Sequence, residues 1–199
     1  PFGYGWTINI PFIERKITHG TNDLYGRDEY LSSEVGELKL VSGSIYSAKT
    51  DSGEMIEFTK SGSTWIAKDK TGTTWTYGLT AQSRMDNPSS STQVFRWMLE
   101  KAEDTNGNVI TYTYFKDQGQ IYPDTVTYGG TTSVTGPFSI SFSRQAAPAT
   151  TLDASTGFLV KTAYRINEIS ASISGTWARK YTLAYSTLSA PTRSHLTSI

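Results

Sequence analysis

Polar and apolar residues alternate along most of the chain, in short runs that are rich in Thr, Tyr, Val, Ile and Trp. Such alternation places every second side chain on the same face of a β-strand, and the runs recur about every ten residues. No window of about twelve residues has the 3.6-residue period of a helix. The best helical candidate, residues 83–87, is short and ends at Pro88. The pattern predicts an all-β protein whose antiparallel hairpins form a large twisted sheet with little or no helix.

The strongest hairpin signal lies in WMLEKAEDTNGNVITYTYF, residues 97–115. An Asn-Gly pair between two alternating runs favours a two-residue type I′ turn, so we predict a turn at Asn106 and Gly107. This register places Glu103 opposite Ile110 and continues along both strands. It gives one face rich in apolar residues: Phe95, Trp97, Leu99, Ile110, Tyr112 and Tyr114. We expect Trp97, Leu99, Tyr112 and Tyr114 to form a packed structural face.

Two further hairpins follow from glycine-containing loops. A three-residue loop at residues 70–72, with Gly72 in the left-handed conformation, predicts Trp65 opposite Tyr77 and Ala67 opposite Trp75. A loop at residues 174–176 predicts two pairs in the third hairpin: Ile169 opposite Tyr181 and Ile173 opposite Trp177. The stretches YGGTTSVTG and RQAAPATTLDASTG are predicted to be long loops, the second of them mobile. We predict one unit over residues 1–199, with a weak internal boundary near residues 129–136.

Composition narrows the function classes. Eighteen basic and eighteen acidic residues cancel, so no net field favours nucleic acid or an anionic membrane, and neither is expected as a partner. There is no cysteine, which removes disulfide and thiolate chemistry. No apolar run approaches the ~20 residues that span a bilayer. Because the chain starts and stops inside patterned stretches, we expect it to be a segment of a larger protein.

The same hairpin offers candidate chemistry that the residue order argues against. Asp104, Asn106 and Asn108 could supply oxygen ligands to calcium, but the glycine falls at the fourth position of the loop and not the sixth. Glu103 and Asp104 are consecutive, so on a strand they point to opposite faces and cannot act as a pair of catalytic carboxylates. A turn is the favoured interpretation, and we predict neither a metal site nor a cofactor.

Other candidate sites are weaker. His19 and His195 are the only histidines and there is no cysteine, which disfavours zinc. Gly3-Tyr4-Gly5 lacks the third glycine and the helix of a phosphate-binding loop. No Gly-x-Ser-x-Gly motif is present. The side chains of four tryptophans could stack on sugar rings, although each has a predicted cross-strand partner that favours core packing: Trp65, Trp75, Trp97 and Trp177.

Five motifs, in order, resemble a known family. PFGYGWTINIPFIERKITHG is similar to the opening block of SpvB-type proteins and Tc-toxin B components, and DEYLSSEVGELKLVSG is similar to the block that follows it. FRWMLEKAEDTNGNVITYTYF resembles the Trp- and Tyr-rich hairpin that is akin to an RHS or YD repeat. TAYRINEISAS with RKYTLAYS, and the terminal RSHLTSI, resemble the segments that end the region.

This resemblance implies a part of an RHS-like β-shell that encloses a toxin payload. In SpvB-type proteins the ADP-ribosyltransferase is a separate domain, and no residue here matches it, so we expect no enzymatic activity. The implied partners are neighbouring RHS segments of the same chain, a payload and a pore-forming toxin subunit. The implied location is secreted or at the bacterial cell surface. Because an excised segment leaves strand edges unpaired, we also expect weak edge-to-edge self-association. A carbohydrate- or surface-binding β module is the alternative, and a hydrolase with convergent carboxylates is a third possibility.

Overall fold

The computed structural model describes residues 7–50, 53–187 and 194–199. Within them the chain is almost entirely β-structure, and one 3₁₀ turn, Ala81–Ser83, is the single helical element. The strands in chain order are β1 Phe12–Arg15, β2 Tyr30–Ser32, β3 Gly36–Ser42, β4 Ile45–Ala48, β5 Glu57–Ser61, β6 Thr64–Lys68, β7 Thr74–Tyr77, β8 Arg84–Asn87, β9 Ser90–Glu103, β10 Asn108–Asp117, β11 Gln120–Thr131, β12 Phe138–Asp153, β13 Val160–Ile173, β14 Thr176–Thr182, β15 Ala184–Thr187 and β16 Ser194–Ser198. The predicted all-β antiparallel fold is confirmed.

Strands β1 to β7 and β9 form a closed antiparallel ring. Each strand from β1 to β6 pairs with the next one in sequence, and β7 pairs with β9. Strand β9 then pairs with β1, with Ile13 opposite Trp97, and so closes the ring. Closure removes the free edge that an open sheet would leave at β1, because β1 now has a partner on both sides.

Strand β9 belongs to both the ring and a second, open part of the sheet. Its first half lies between β8 and β1, and its second half lies between β7 and β10. From β10 the sheet continues through β11, β12 and β13 to β14. The hairpin β15–β16 forms a separate two-stranded sheet. One long strand therefore joins the ring directly to the open sheet.

The inside of the ring is packed with aromatic side chains. Tyr30, Tyr46, Trp65 and Trp97 meet edge to face, with ring centroids 4.8–6.1 Å apart. This is the arrangement that aromatic quadrupoles favour. Trp65 is fully buried, and its pairing with Tyr77 fixes the inward face of β6 and β7. The ring therefore encloses a closely packed hydrophobic core.

One end of the ring is closed by the chain between β1 and β2. The buried guanidinium of Arg15 donates hydrogen bonds to the carbonyl oxygens of Val94 at 3.0 Å, Leu24 at 3.2 Å and Arg27 at 2.6 Å. It also lies 5.3 Å from the ring centroid of Tyr25. Three accepting carbonyls and an aromatic face replace water around the charge. Arg15 therefore holds the connection between β1 and β2, which we call the plug, against β9.

The open sheet has two different faces. Directly opposed residues share a face, and the ladder Val126–Ile140–Ala171 runs beside the ladder Phe142–Ile169–Tyr181. Phe142 lies in a second hydrophobic core that also contains residues of the β15–β16 end of the chain. The other face is rich in hydroxyl groups, including the ladders Thr127–Ser139–Ser172 and Thr125–Ser141–Ser170. The sheet thus has an apolar side and a polar side.

Residues 84–87, in the stretch that came nearest to a helical pattern, form strand β8 by pairing with β9, as the all-β prediction requires. Two local predictions are wrong. Residues 144–153 of the predicted mobile loop belong to β12, which pairs with β13 through an irregular register between Ala146 and Thr151. In the third hairpin Ile169 does face Tyr181, but Ile173 faces Thr176 and not Trp177. There the turn is shorter than predicted, with Ser174 and Gly175 both at positive φ, and a bulge restores the outer register.

Candidate functional site: the turns, the aromatic face and the edge strand

The turn between β9 and β10 is organised by the carboxylate of Asp104. Its Oδ1 accepts hydrogen bonds from the backbone N–H groups of Asn106 at 2.9 Å and Asn108 at 2.8 Å. Its Oδ2 accepts a third bond, of 2.8 Å, from the side-chain amide of Asn108. That side-chain bond and the backbone bond from the same residue hold the pKa of Asp104 below its usual value. The oxygens that a metal would need are already engaged inside the turn.

The predicted type I′ turn and its register are wrong. Gly107 has φ +80°, but Asn106 does not have positive φ, and the Gly107 N–H donates to the carbonyl of Asp104. A type I turn followed by a left-handed glycine is the usual three-residue hairpin connection. It shifts the pairing by one residue, so that Glu103 faces Val109 and not Ile110.

A bulge in β9 compensates for this shift on the aromatic face. Lys101 pairs with Thr76 of β7, whereas Leu99 pairs with Tyr77, so Glu100 is the extra residue. A bulge changes the face on which the following residues lie. Trp97, Leu99 and Tyr114 consequently lie in one buried cluster, and Tyr112 packs against it half-buried. The Tyr114 hydroxyl donates a hydrogen bond to the carbonyl of Leu99. Ile110, near the turn, is exposed.

A second turn, between β6 and β7, repeats the first one. Asp69 Oδ1 accepts from the N–H groups of Thr71 at 2.9 Å and Thr73 at 3.0 Å, as Asp104 does with the equivalent residues. Gly72 is at φ +89°, and the predicted pairs Trp65–Tyr77 and Ala67–Trp75 are confirmed. The two turns touch, because a Cβ on Gly72 would lie 2.7 Å from Thr105 Cγ2. The shared Asp-x-x-Gly pattern was the signal that would have given the correct register.

The alternatives of metal binding and hydrolysis find no support in the described residues. No group of three His, Asp or Glu side chains is placed to hold a metal in the part of the chain that the structure describes. His19 and His195 are both exposed. Hydrogen bonds from Lys101 and Thr132 lower the pKa of Glu103, whereas a glycosidase acid requires a raised carboxyl pKa. The Gly3-Tyr4-Gly5 motif lies outside the described residues.

The four candidate tryptophans do not form a sugar-binding platform. Trp65 and Trp97 are buried in the ring, and Trp75 is half-buried. Trp177 is 67% exposed, so the expectation that its cross-strand partner would cover it is wrong. Stacking on successive sugars requires several exposed aromatic rings on one surface, and only one of these four tryptophan rings is exposed.

Among the residues that the structure describes, strand β14 is the outermost strand of the open sheet. It pairs with β13 on one side, and all of its side chains from Thr176 to Thr182 are exposed. Trp177 and Tyr181 both lie on it. An exposed, partly apolar edge strand is a template for pairing with another strand. No helix of the described residues is long and apolar enough to cross a membrane.

Comparison with known proteins finds partial sequence similarity to SpvB. The family model described as the Salmonella virulence plasmid 65kDa B protein, SpvB, matches residues 44–127. The mono(ADP-ribosyl)transferases SpvB of Salmonella typhimurium and Salmonella dublin are each 24% identical over 60% of this chain. The chain spans 25% of the length of these curated relatives.

Solved structures extend the similarity to the full fold. The N-terminal domain of the effector protein SpvB from Salmonella typhimurium superposes with a TM-score of 0.85 at 17% identity, covering 100% of this chain and 88% of that one. The TcdB2-TccC3 structure gives a TM-score of 0.82 at 18% identity, covering 98% of this chain and 13% of that one. The Tc holotoxin pore of Photorhabdus luminescens gives 0.74 at 18% identity, with the same coverage. The chain is therefore similar to SpvB over residues 44–127, and it shares the fold of the SpvB N-terminal domain and of the matched part of the Tc-toxin structures.

Proposed function

We propose that this chain is a non-catalytic structural segment of an RHS-like shell in a bacterial toxin or toxin-delivery protein, where it helps to enclose or present a C-terminal payload. The observation that carries the proposal is the asymmetric sheet. One end closes on itself as a ring, and the other ends in the exposed edge strand β14. A sheet of this kind can be extended from β14 while the ring stays closed.

The segment's role is mechanical. The hydrogen-bond ladders between strands satisfy the backbone polar groups. The aromatic core of the ring stabilises one end of the sheet, and β9 connects the ring to the open part. The fold comparison supports this role, because the matched part of the TcdB2-TccC3 chain is 13% of its length. The rest of that chain is available to extend a structure of which this fold is one part.

The absence of catalysis is part of the proposal. The fold resembles the N-terminal domain of SpvB, and the chain spans 25% of a relative named for mono(ADP-ribosyl) transfer. We place any such activity in a different part of the parent protein. Incubation of this chain with NAD⁺ and a protein acceptor should give no transfer of ADP-ribose, and labelled acceptor would contradict the assignment.

The proposed partners are the adjoining RHS segments, the payload and a pore-forming subunit, and the proposed location is outside the bacterial cytoplasm. The similar Tc proteins were solved as complexes and as a holotoxin pore, which supports assembly as the working state of such a fold. The relatives' names as an effector and as toxin components support a secreted or surface location.

Hydrogen–deuterium exchange of β14 tests the structural role. In the isolated chain, the β14 amides that point away from β13 should exchange quickly. In a longer parent polypeptide they should become protected, because a following strand pairs with this edge. Amides of β6, which has a partner on each side in the ring, serve as the internal control and should not change. Equal exchange of β14 in both proteins would contradict extension from this edge.

A further inference from the structure

The turn between β9 and β10 contains the one Asn-Gly pair of the sequence, Asn106-Gly107. Asn106 is exposed to solvent, and a Cβ built on Gly107 would meet nothing within 4 Å. Because glycine has no Cβ of its own, nothing on Gly107 shields its backbone nitrogen from the side chain of the residue before it. The amide carbon of Asn106 is therefore open to attack by this nitrogen whenever the backbone allows the two to meet.

The reaction of such a pair is deamidation through a cyclic imide. The Gly107 nitrogen loses its proton and forms a bond to Asn106 Cγ, and the side-chain nitrogen takes up a proton and leaves as ammonia. Water then opens the imide at either of its carbonyl groups. Opening at the former side-chain carbonyl gives aspartate, and opening at the backbone carbonyl gives isoaspartate, in which the chain runs through the side chain. Water is the single co-reactant, and nothing is oxidised or reduced.

The folded turn restrains the attacking nitrogen. The N–H of Gly107 donates a hydrogen bond of 3.1 Å to the carbonyl oxygen of Asp104, and the N–H of Asn106 donates one of 2.9 Å to Asp104 Oδ1. The first bond holds the proton that must leave, and both bonds hold the backbone in the turn conformation. The attack therefore requires the turn to open, so the rate follows the population of the open turn.

Asn108, in the same turn, is protected in two further ways. Its side-chain amide donates a hydrogen bond of 2.8 Å to Asp104 Oδ2. The residue after it, Val109, is buried and has a branched Cβ beside the nitrogen that would attack. The turn thus contains one exposed asparagine before a glycine and one fixed asparagine before a buried valine.

We propose that Asn106 is a site of spontaneous deamidation and that the hydrogen bonds to Asp104 set its rate. The proposal uses this turn alone and is independent of the shell role. Hydrogen bonds from Asn108 are the main cause of the lowered pKa of Asp104, and the side-chain amide of Asn106 adds to them. Deamidation replaces that amide with a second carboxylate beside Asp104, and like charges repel. Isoaspartate also lengthens the backbone of the turn by a methylene group, so modified chains have a weaker connection between the ring and the open sheet.

Peptide mapping of aged protein tests the site. The folded chain is incubated at mildly alkaline pH, and its tryptic peptide of residues 102–116 is sequenced by mass spectrometry, with a methyltransferase specific for isoaspartate as a second readout. We expect isoaspartate and aspartate to accumulate at position 106 while position 108 remains asparagine. Asn106→Ser should abolish the isoaspartate signal. An unmodified position 106 after the free synthetic peptide of the same residues has reacted would overturn the proposal.

Reaction rates test the role of Asp104. The free peptide should react fastest, because an isolated hairpin is at best marginally stable. Asp104→Ala should raise the rate in the folded chain at least about fivefold, because its turn opens more often. Asp69→Ala, which removes the equivalent carboxylate from the turn between β6 and β7, should change the rate by less than about twofold.

Circular dichroism verifies that both variants are folded. Asp104→Asn keeps one acceptor oxygen, and should give a rate between those of the wild type and Asp104→Ala. It provides a second folded variant if Asp104→Ala does not fold. Equal rates in the wild type and the folded Asp104 variants, or an equal acceleration by Asp69→Ala, would overturn the assignment of the restraint to Asp104.

Discussion

Asp104 and Asp69 each use a single carboxylate oxygen to hold two backbone N–H groups of a turn. Ionised carboxylates are strong acceptors, and an Asp at this position satisfies donors that the turn would otherwise leave to water. The residues that look most like metal ligands in the sequence are therefore already hydrogen-bonded within their own turns. The clustering of Asp, Asn and Gly in this hairpin is explained by backbone geometry alone.

The charge of Asp104 should make stability depend on pH. Its hydrogen bonds lower its pKa in the folded state, so its contribution is present above the unfolded-state pKa of about 3.9 and is lost as the pH falls through the folded-state pKa. At pH 7, Asp104→Asn should lower Tm by about 2–4 °C. The difference from the wild type should vanish at a pH below the folded-state pKa. Calorimetry at both pH values measures the difference in Tm, and a difference that persists below the folded-state pKa would contradict the role of the charge.

Two glycines separate backbone strain from a side-chain clash. Gly107→Ala places a side chain at φ +80° with open space around it, and should cost about 1–2 kcal/mol of unfolding free energy. Gly72→Ala adds contact with Thr105 Cγ2 and should cost on the order of 1 kcal/mol more.

Removing that methyl group in Thr105→Ser should recover stability in the Gly72→Ala background and not in the Gly107→Ala background. Urea unfolding of the double-mutant sets measures the coupling. Equal recovery in both backgrounds would contradict the contact between the two turns.

At the scale of elements, the position of the plug depends on the planar guanidinium group of Arg15, which donates hydrogen bonds in several directions. Arg15→Lys keeps the charge but cannot reach the carbonyls of Val94, Leu24 and Arg27 with the same geometry. It should lower the unfolding free energy by about 2 kcal/mol, because buried acceptors lose their partner. Arg27→Lys, at an exposed pair with Asp23, should change it by less than about 0.5 kcal/mol. Similar losses from both variants in urea unfolding would contradict the role assigned to Arg15.

The edge strand β14 should cause weak, concentration-dependent self-association. Its exposed backbone edge and the side chain of Trp177 favour pairing with a second copy. Trp177→Lys should reduce the association, because a lysine on an edge opposes strand pairing. Leu79→Lys, an equally simple change at an exposed apolar residue away from β14, should not. Light scattering that finds only monomer at high wild-type concentration would contradict the prediction.

The positions of strands and turns can be predicted from the alternation of polar and apolar residues and from the placement of glycines. The register, which decides which residues face each other, cannot always be predicted in this way. The Asn106-Gly107 pair indicates a turn, but Asp104 stabilises a longer one, and the pairing shifts by one residue. The bulge at Glu100 is invisible in the pattern, because an extra residue in β9 depends on pairing with β7, a different hairpin. The one-residue shift at the turn and the bulge in β9 therefore cancel, and Leu99 and Tyr114 lie on the same face.

At the scale of the whole molecule, closure of the ring could not be predicted. The contact that closes it joins β1 to β9, with Arg96 Nη2 2.6 Å from Glu14 Oε2 across a separation of 82 residues. Alternation describes each strand and its hairpin neighbour, but it contains no information on which distant strands pair. The motif resemblance pointed to SpvB-type proteins, and the fold comparison shows the same fold in the N-terminal domain of SpvB.

The proposed role requires that this segment belongs to a wall that continues beyond β14 and encloses a payload. Electron cryomicroscopy of the complete parent protein would show such a wall. We expect the outer edge of β14 to be hydrogen-bonded to a following strand, the ring to keep its eight strands, and the C-terminal domain to lie inside the resulting shell. A map in which β14 borders solvent and the C-terminal domain lies outside, unenclosed, would contradict it.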